Sequence, residues 1–359
     1  MSVAKSSPLM NFLAGKLPFG EMGAEDWSLM FSEARRIGLL SRLSTNLRSH
    51  EELESCLPDR LRHQMTASLI EAEGFQRDVL RELDHIQWAL EGLGVPVLLL
   101  KGASYVRLNL PAAQGRIFSD VDILVAKRHL GQAESALMLG GWLTGELDPY
   151  DRRYYREWSH EVPPMTHRRR GTTIDLHHAL VMPTCRIQVD SEKMISEAVP
   201  VDVDGFWWRL RDEDMVLHAA SHLMLNSEFD RGLRDLWDID LLFRHFSTRS
   251  ESFPDCLQER AKDLGLLELI QQALFLANRF FGTPVPARLF PDRPVIVTRL
   301  VGCASSTRHR ETRPKGQAIA DMLLMAREMY LRLPNPLLAT HLAHKASSLF
   351  KGMPDKKAV

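Results

Sequence analysis

The chain has 359 residues, of which 45% are hydrophobic and 25% are charged, and its formal net charge at pH 7 is -1. This composition is typical of a soluble globular protein with two or three domains, and the near-neutral charge excludes a dedicated non-specific nucleic-acid binder. No apolar run reaches the roughly 18 residues of a membrane helix, four scattered cysteines without C-x-x-C spacing predict no disulfide, and the N-terminus lacks a secretory signal, so a cytoplasmic protein is expected.

A helical region is predicted at the start of the chain, over residues 1–93. From about residue 24 its apolar residues recur with a period near 3.6, most clearly between Leu61 and Leu93. Turn-forming residues at 94–96 interrupt this pattern. The apolar run at 97–100 that follows predicts a short buried strand.

A second domain is predicted over residues 94–204. After the first strand, the sequence predicts a strand at about 121–126, a helix at 129–139, and two strands within 158–178 that are joined by the turn at 168–171. Because strands and helices are mixed in this way, we expect an α+β fold with a mixed β-sheet and flanking helices.

A third domain, mainly helical, is predicted over residues 205–359. Amphipathic segments predict helices at 212–225, 233–245, 255–281 and 316–332. The tail after Pro334 is expected to fray.

Two aspartates stand out in an otherwise apolar run, Ser119-Asp120-Val121-Asp122-Ile123-Leu124-Val125. Because side chains alternate along a strand, Asp120 and Asp122 share one face. Two carboxylates about 4 Å apart repel by roughly 4 kcal/mol at an effective dielectric near 20, so a cation or a shared proton must offset the cost. Asp175, in another alternating strand, could complete a cluster of oxygen ligands for Mg²⁺ or Mn²⁺. The alternative for Asp120 and Asp122 is an exposed strand end or turn whose carboxylates cap the element that follows. The alternative for Asp175 is an ion pair within its strand.

The end of the first strand has features suited to phosphate. The run from Leu98 to Ser104 passes from a strand into a predicted helix, where backbone N–H groups and a small hydroxyl can face phosphate. Arg116 offers a forked donor for phosphate oxygens. Lys101 is either a substrate contact or a solvated residue after the strand.

These motifs, in this order, resemble those of the polymerase-beta-like nucleotidyltransferase superfamily and especially its bacterial branch of nucleotidyltransferase-like proteins. The resemblance spans about residues 60–245, and the helical segment at 213–239 is included in it. The matching motifs are Leu99-Leu100-Lys101-Gly102, Arg116-Ile117-Phe118-Ser119-Asp120-Val121-Asp122 and Ile174-Asp175-Leu176-His177.

The resemblance implies an enzyme that transfers a nucleoside monophosphate from an NTP to a hydroxyl acceptor and releases pyrophosphate. Asp120 and Asp122 would hold two Mg²⁺ (or Mn²⁺) ions, and Asp175 would complete the second site and help to deprotonate the acceptor. The helical domain would close over the nucleotide, and the acceptor could be a small molecule, a saccharide, RNA or a protein. The nucleotide-binding residues that the resemblance implies are Lys101, Gly102, Ser104, Arg116 and Ser119.

Two other functions remain open from the sequence. A non-catalytic nucleotide- or partner-binding module of the same fold is favoured by Ala103, which separates Gly102 from the serine that usually follows it directly. A zinc-dependent hydrolase would use Asp175, His177 and His160.

Several residues have a structural interpretation beside a functional one. Arginines at 152–156 and 168–170 form a basic concentration, either a solvated hairpin tip or a contact for an anionic acceptor. Arg231 and Arg234 could reach a triphosphate or pair with neighbouring aspartates. His218 and His222 have a spacing that permits zinc binding on a helix, but His218 lies among apolar residues and is interpreted as a hydrogen-bonded core histidine. Trp207-Trp208 is interpreted as core rather than as a base-stacking platform.

Overall fold

The computed structural model of the protein describes residues 6–16, 22–49, 56–202 and 205–340. Within these ranges, helices precede and follow a region that contains all the strands of one sheet. Numbered along the chain, the helices are α1 (Pro8–Leu13), α2 (Ala24–Arg36), α3 (Leu40–Arg48), α4 (Asp59–Leu90), α5 (Lys101–Arg107), α6 (Leu130–Gly140), α7 (Pro149–Glu157), α8 (Ser191–Ser196), α9 (Asp212–Leu225), α10 (Gly232–Arg249), α11 (Phe253–Asp263), α12 (Leu267–Phe281), α13 (Ile296–Ala304) and α14 (Gln317–Arg332).

The sheet has seven strands and is mixed, as the sequence predicts. The strands are β1 (Val97–Leu99), β2 (Asp120–Leu124), β3 (Trp142–Thr144), β4 (Met165–His167), β5 (Thr173–His177), β6 (Val199–Pro200) and β7 (Trp207–Arg209). Their order across the sheet is β3-β4-β5-β2-β1-β7-β6. β2 occupies the centre, parallel to β5 and antiparallel to β1.

The central strands β2 and β5 have one apolar face. Val121 and Ile123 of β2 and Ile174 and Leu176 of β5 are all buried in the core. Because side chains alternate, the residues between them, including the aspartates, are directed to the opposite face. The apolar face fixes the register of the strands, and with it the position of the acidic residues.

The helices that surround the sheet share its core. The long helix α4 packs on α3 and α6, with buried residues that repeat at helical spacing from Leu61 to Leu90. A single hydrophobic cluster includes side chains from the N-terminal helices, the sheet and the C-terminal helices. The sheet is thus supported by helices from both ends of the chain.

The structure differs from the predicted elements in several places. The prediction of one continuous helix at 255–281 is wrong, because the chain forms two helices there. Gly265 adopts a left-handed φ of 69° and separates α11 from α12. The segment after residue 205 first adds β7 to the sheet beside β1, with Trp207 in the core as predicted. Helices α7, α8 and α13 and strands β3 and β6 have no predicted counterpart.

Within the described ranges, no helix is both long and apolar enough to cross a membrane. Among the described residues, no cysteine forms a disulfide. The tail after Pro334, predicted to fray, is helical at 335–340, and residues 341–359 lie outside the described part.

Candidate active site

Strands β2 and β5 bring three aspartates together. In their parallel pairing, Asp122 lies opposite Asp175 and Asp120 lies opposite Thr173. Residues in register on neighbouring strands share a face, so the three carboxyl groups are directed to one side of the sheet. All three line the same cavity.

Asp122 is held by two partners. Its Oδ1 accepts a hydrogen bond from Lys101 Nζ at 3.2 Å and lies 3.0 Å from His177 Nε2. Burial raises the pKa of Asp122, but the Lys101 ammonium and the His177 contact outweigh burial, so this pKa lies well below its ordinary value. Asp122 is therefore an ionised carboxylate at neutral pH.

Asp175 has the opposite electrostatic environment. Burial, together with the negative charges of Asp122 and Glu161, raises the pKa of Asp175 from 3.8 to about 7. Its Oδ1 is buried and has no hydrogen-bond partner among the described residues. A buried carboxylate oxygen without a donor destabilises a fold unless a cation or a proton neutralises it.

This set of donors fits a hard divalent cation. Asp120, Asp122 and Asp175 offer only carboxylate oxygens, the ligands that Mg²⁺ and Mn²⁺ prefer. The unpartnered Oδ1 of Asp175 is the atom that a bound cation would satisfy. The residues present would therefore accommodate Mg²⁺ or Mn²⁺, and their chemistry does not select between the two.

Lys101 supplies positive charge at this acidic cluster. It begins α5 directly after β1 with a φ of 41°, an uncommon value for a residue with a side chain. The preceding Leu100 N–H donates to the Asp122 carbonyl at 3.1 Å, which ties this turn to β2. Such strained positions persist where surrounding contacts fix them, and they occur often at functional sites. The structure thus favours a site residue over a solvated one.

Arg116 lines the site but is held in a buried ion-pair network. Its Nε donates to Asp238 Oδ2 at 2.8 Å, and Arg42 Nη1 lies 2.7 Å from Asp238 Oδ1. All three side chains are at most 4% exposed. One carboxylate on α10 thereby anchors both α3 and the segment that leads into β2. Phosphate binding by Arg116 remains a prediction from the resemblance.

Gly102 packs closely against other side chains near the site, whereas Ser104 is buried away from both cavities. A Cβ at Gly102 would overlap Nη1 of Arg116 and would lie 2.7 Å from Cδ1 of Phe118, so the glycine makes room for these side chains. Ser104 is 2% exposed, lines neither cavity at the aspartates, and its hydroxyl has no partner among the described residues. The structure therefore does not bring Ser104 to the site, because α5 is buried along most of its length.

Replacing Gly102 with Ala is expected to lower the free energy of unfolding by about 1–3 kcal/mol, the usual cost of overpacking. The added methyl group must displace Arg116 or Phe118. Gly131, exposed on α6 with nothing within 4 Å of an added Cβ, is the matched control. Its replacement by Ala should change stability by less than about 1 kcal/mol. Urea denaturation measures both variants, and equal stabilities would contradict the steric account.

Two cavities meet at the aspartates, with volumes of about 280 and 790 Å³. The larger volume is within the range of about 300–1,000 Å³ that is common for small-molecule sites. The residues that line both cavities are Lys101, Asp120, Asp122, His222, Asn226 and Glu228. The carboxylates therefore lie at the boundary between two spaces.

The two cavities differ in their other walls. The smaller one is lined by Asp175, His160 and Glu161, and Arg332 reaches it from the end of α14. The larger one is lined by Ser119 and Arg116 and by the following basic residues near α10 and α14: Arg231, Arg234 and Arg308. The larger space thus has more arginines, but its lining also includes Asp230, Asp235 and Asp321, which pair with Arg308 and Arg234.

Several basic side chains, in the cavity walls and elsewhere, form ion pairs within the protein. Arg234 lies 2.7 Å from Asp235, one of the partners considered for it. Arg156 and Arg170, from the basic concentration in the sequence, bond to Glu134 and Glu82 at 2.7 Å each. The latter pairs tie that basic segment to neighbouring helices.

Sequence reasoning missed part of the site. His218 is buried as predicted, whereas His222, one helical turn further along α9, lines both cavities. Lys101 and burial lower the pKa of His222 well below its ordinary value, so the ring is neutral. Glu161 reaches the site through a β-bridge with His177, for which no local motif exists. The spacing of four residues from 218 to 222 and 226 is the signal that could have indicated the α9 wall.

A mixed sheet that presents an aspartate pair, and a third aspartate from the adjacent parallel strand, to a cavity defines a protein of the nucleotidyltransferase class. The chain belongs to the family described as uncharacterised nucleotidyltransferase, whose model matches residues 23–282. This match includes the three aspartates and confirms the resemblance seen in the motifs. Membership supports a transferase in general.

Further comparisons gave no additional relatives. No significant match was found among curated proteins or among solved structures.

Proposed function

We propose that the protein is a divalent-cation-dependent nucleotidyltransferase that transfers a nucleoside monophosphate from an NTP to a hydroxyl acceptor. The acceptor hydroxyl would give its proton to Asp175, and its oxygen would form a bond to the α-phosphorus. The bond from the α-phosphorus to the oxygen that bridges it to the β-phosphate would break, so that pyrophosphate leaves. The observation that carries this proposal is the register of Asp122 with Asp175, with Asp120 on the same face, at the boundary of two cavities.

Asp120, Asp122 and Asp175 would hold Mg²⁺ or Mn²⁺. When bound, such a cation neutralises phosphate charge and lowers the pKa of a coordinated hydroxyl. Lys101 and His177 fix the Asp122 carboxylate through contacts of 3.2 and 3.0 Å, so its orientation does not depend on the substrate. Fixed ligands of this kind need little rearrangement during the reaction.

The two cavities supply separate places for the two substrates. The larger one, with its arginines at 231, 234 and 308, would take the triphosphate, because guanidinium groups bind phosphate oxygens well. The smaller one, beside Asp175, would take the acceptor. Residues of α9 and the loop after it line both cavities, so the C-terminal helical part, from residue 205, contributes the opposite wall.

A label-transfer assay tests this proposal. The purified protein is incubated with α-phosphate-labelled NTPs and a heat-treated cell extract that offers small molecules, saccharides, RNA and proteins as acceptors. We expect labelled product and pyrophosphate with Mg²⁺ or Mn²⁺, and neither product when the cation is removed with EDTA. Binding of the NTP without pyrophosphate release would instead support the non-catalytic nucleotide-binding module.

A further inference from the structure

A second group of metal-ligating side chains lies beside the aspartates. His160, Glu161 and His177 each offer one ligand atom, and these three atoms lie within 4.8 Å of one another. Glu161 Oε2 lies 3.7 Å from His160 Nε2 and 3.5 Å from His177 Nε2. His160 and Glu161 line the smaller cavity, so the group is accessible from it.

The two distances from Glu161 are close to the edge length of a tetrahedral metal site. Ligands at about 2.0–2.1 Å from a Zn²⁺ ion stand roughly 3.3–3.4 Å apart in a tetrahedron. The two measured distances exceed this value only slightly. Two imidazole nitrogens and one carboxylate oxygen form a donor set that occurs in zinc sites, with a fourth position left for water or another ligand.

The backbone holds the two histidines in place. Glu161 forms a β-bridge with His177, and Val162 N–H donates to the Leu176 carbonyl at 3.0 Å. The His178 N–H also donates to the His160 carbonyl, at 2.8 Å. The ligands therefore come from two adjacent extended segments joined by main-chain hydrogen bonds, which limits the movement needed to close around an ion.

We propose that His160, Glu161 and His177 form a binding site for a borderline transition-metal ion, Zn²⁺ in particular, separate from the three-aspartate site. The aspartates offer only oxygen and suit hard cations, whereas the nitrogen ligands favour zinc. The two sites are coupled through His177, because Nε2 of this ring is also the atom that lies 3.0 Å from Asp122 Oδ1. A metal ion on His177 would thus release Asp122 from that contact.

Metal binding without nucleotide tests the proposal independently of the transfer reaction. The full chain is stripped with a chelator, and Zn²⁺ binding is measured by equilibrium dialysis. Co²⁺ is then bound in place of Zn²⁺ and followed by its visible absorption. We expect one ion per chain and a four-coordinate Co²⁺ spectrum without thiolate bands. His160→Asn and Glu161→Gln should each weaken Zn²⁺ binding about tenfold or more, since each removes a ligand.

Two control variants separate this site from other metal binding. His63→Asn changes an exposed histidine on α4 that lines neither cavity, and it should leave Zn²⁺ affinity unchanged. Asp120→Asn changes the aspartate site and should retain Zn²⁺. The proposal is overturned if the wild-type chain binds no Zn²⁺, if His160→Asn binds it as tightly as wild type, or if thiolate bands show that cysteines hold the ion. Circular dichroism establishes that each variant is folded.

Discussion

Replacing Asp120 with Asn is expected to reduce cation-dependent nucleotide transfer about 1,000-fold, equivalent to roughly 4 kcal/mol of transition-state stabilisation. Asn keeps the size of the side chain but removes one negative charge from the cluster that would hold the cation. Asp120 is only partly buried, whereas Asp122 is bound by Lys101 and His177. The Asp120 variant therefore separates catalysis from folding better than an Asp122 variant.

The matched control for this prediction is Asp84→Asn. Asp84 is exposed on α4 and lines neither cavity, so its replacement should leave transfer unchanged. Label transfer from an α-phosphate-labelled NTP measures both variants, and thermal unfolding checks that they are folded. Transfer by the Asp120 variant within about tenfold of the wild type would remove the carboxylate cluster from the mechanism.

Replacing Asp238 with Asn is expected to lower the free energy of unfolding by about 3–5 kcal/mol, the cost of breaking a buried ion pair from one side. Asp238 lies within 2.8 Å of both Arg42 and Arg116, and all three side chains are almost fully buried. Without the carboxylate, two buried guanidinium groups lose their counter-charge. The segment that leads into β2 would lose its anchor, so transfer should fall as well.

Asp255→Asn is the control for the buried network. Asp255 pairs with Arg288 at 2.6 Å, but both side chains are about half exposed, at 55% and 45%. An exposed pair contributes at most about 1 kcal/mol, so this variant should remain close to the wild type in urea denaturation. A stability loss for Asp238→Asn as small as that of the control would contradict the anchoring role.

Local patterns were sufficient for much of the fold. The alternation in Ser119–Val125 indicated a strand with Asp120 and Asp122 on one face, and the turn at 168–171 indicated the hairpin whose second strand contains Asp175. These predictions succeed because strand periodicity is set by neighbouring residues. The mixed sheet and the helix α9 follow from the same kind of signal.

Other features depend on contacts that sequence spacing does not encode. Arg116 and Asp238 are 122 positions apart, so their ion pair could not be inferred from either motif. Glu161 enters the site because it forms an isolated β-bridge with His177 of β5, not because of its neighbours in the chain. Ser104 shows the reverse case: a phosphate-binding position inferred from a local strand-to-helix turn is buried, because packing around α5 overrides the local pattern.

The structure also indicates why the acidic cluster persists in the folded protein. Lys101 and His177 stabilise the charge of Asp122, while Asp175 is left with a raised pKa of about 7 and an oxygen that has no partner among the described residues. The cluster is therefore only partly neutralised by the protein itself. A cation that arrives with the substrate would neutralise the remaining negative charge of the cluster.

A crystal structure of the protein with Mn²⁺ and a non-hydrolysable NTP analogue tests the central proposal most directly. Manganese gives anomalous scattering, which locates the ion without assumptions about its ligands. The account predicts an anomalous peak in contact with carboxylate oxygens of Asp120, Asp122 and Asp175, with the triphosphate in the larger cavity. Manganese and nucleotide bound elsewhere, with these three carboxylates contacting neither, would contradict it.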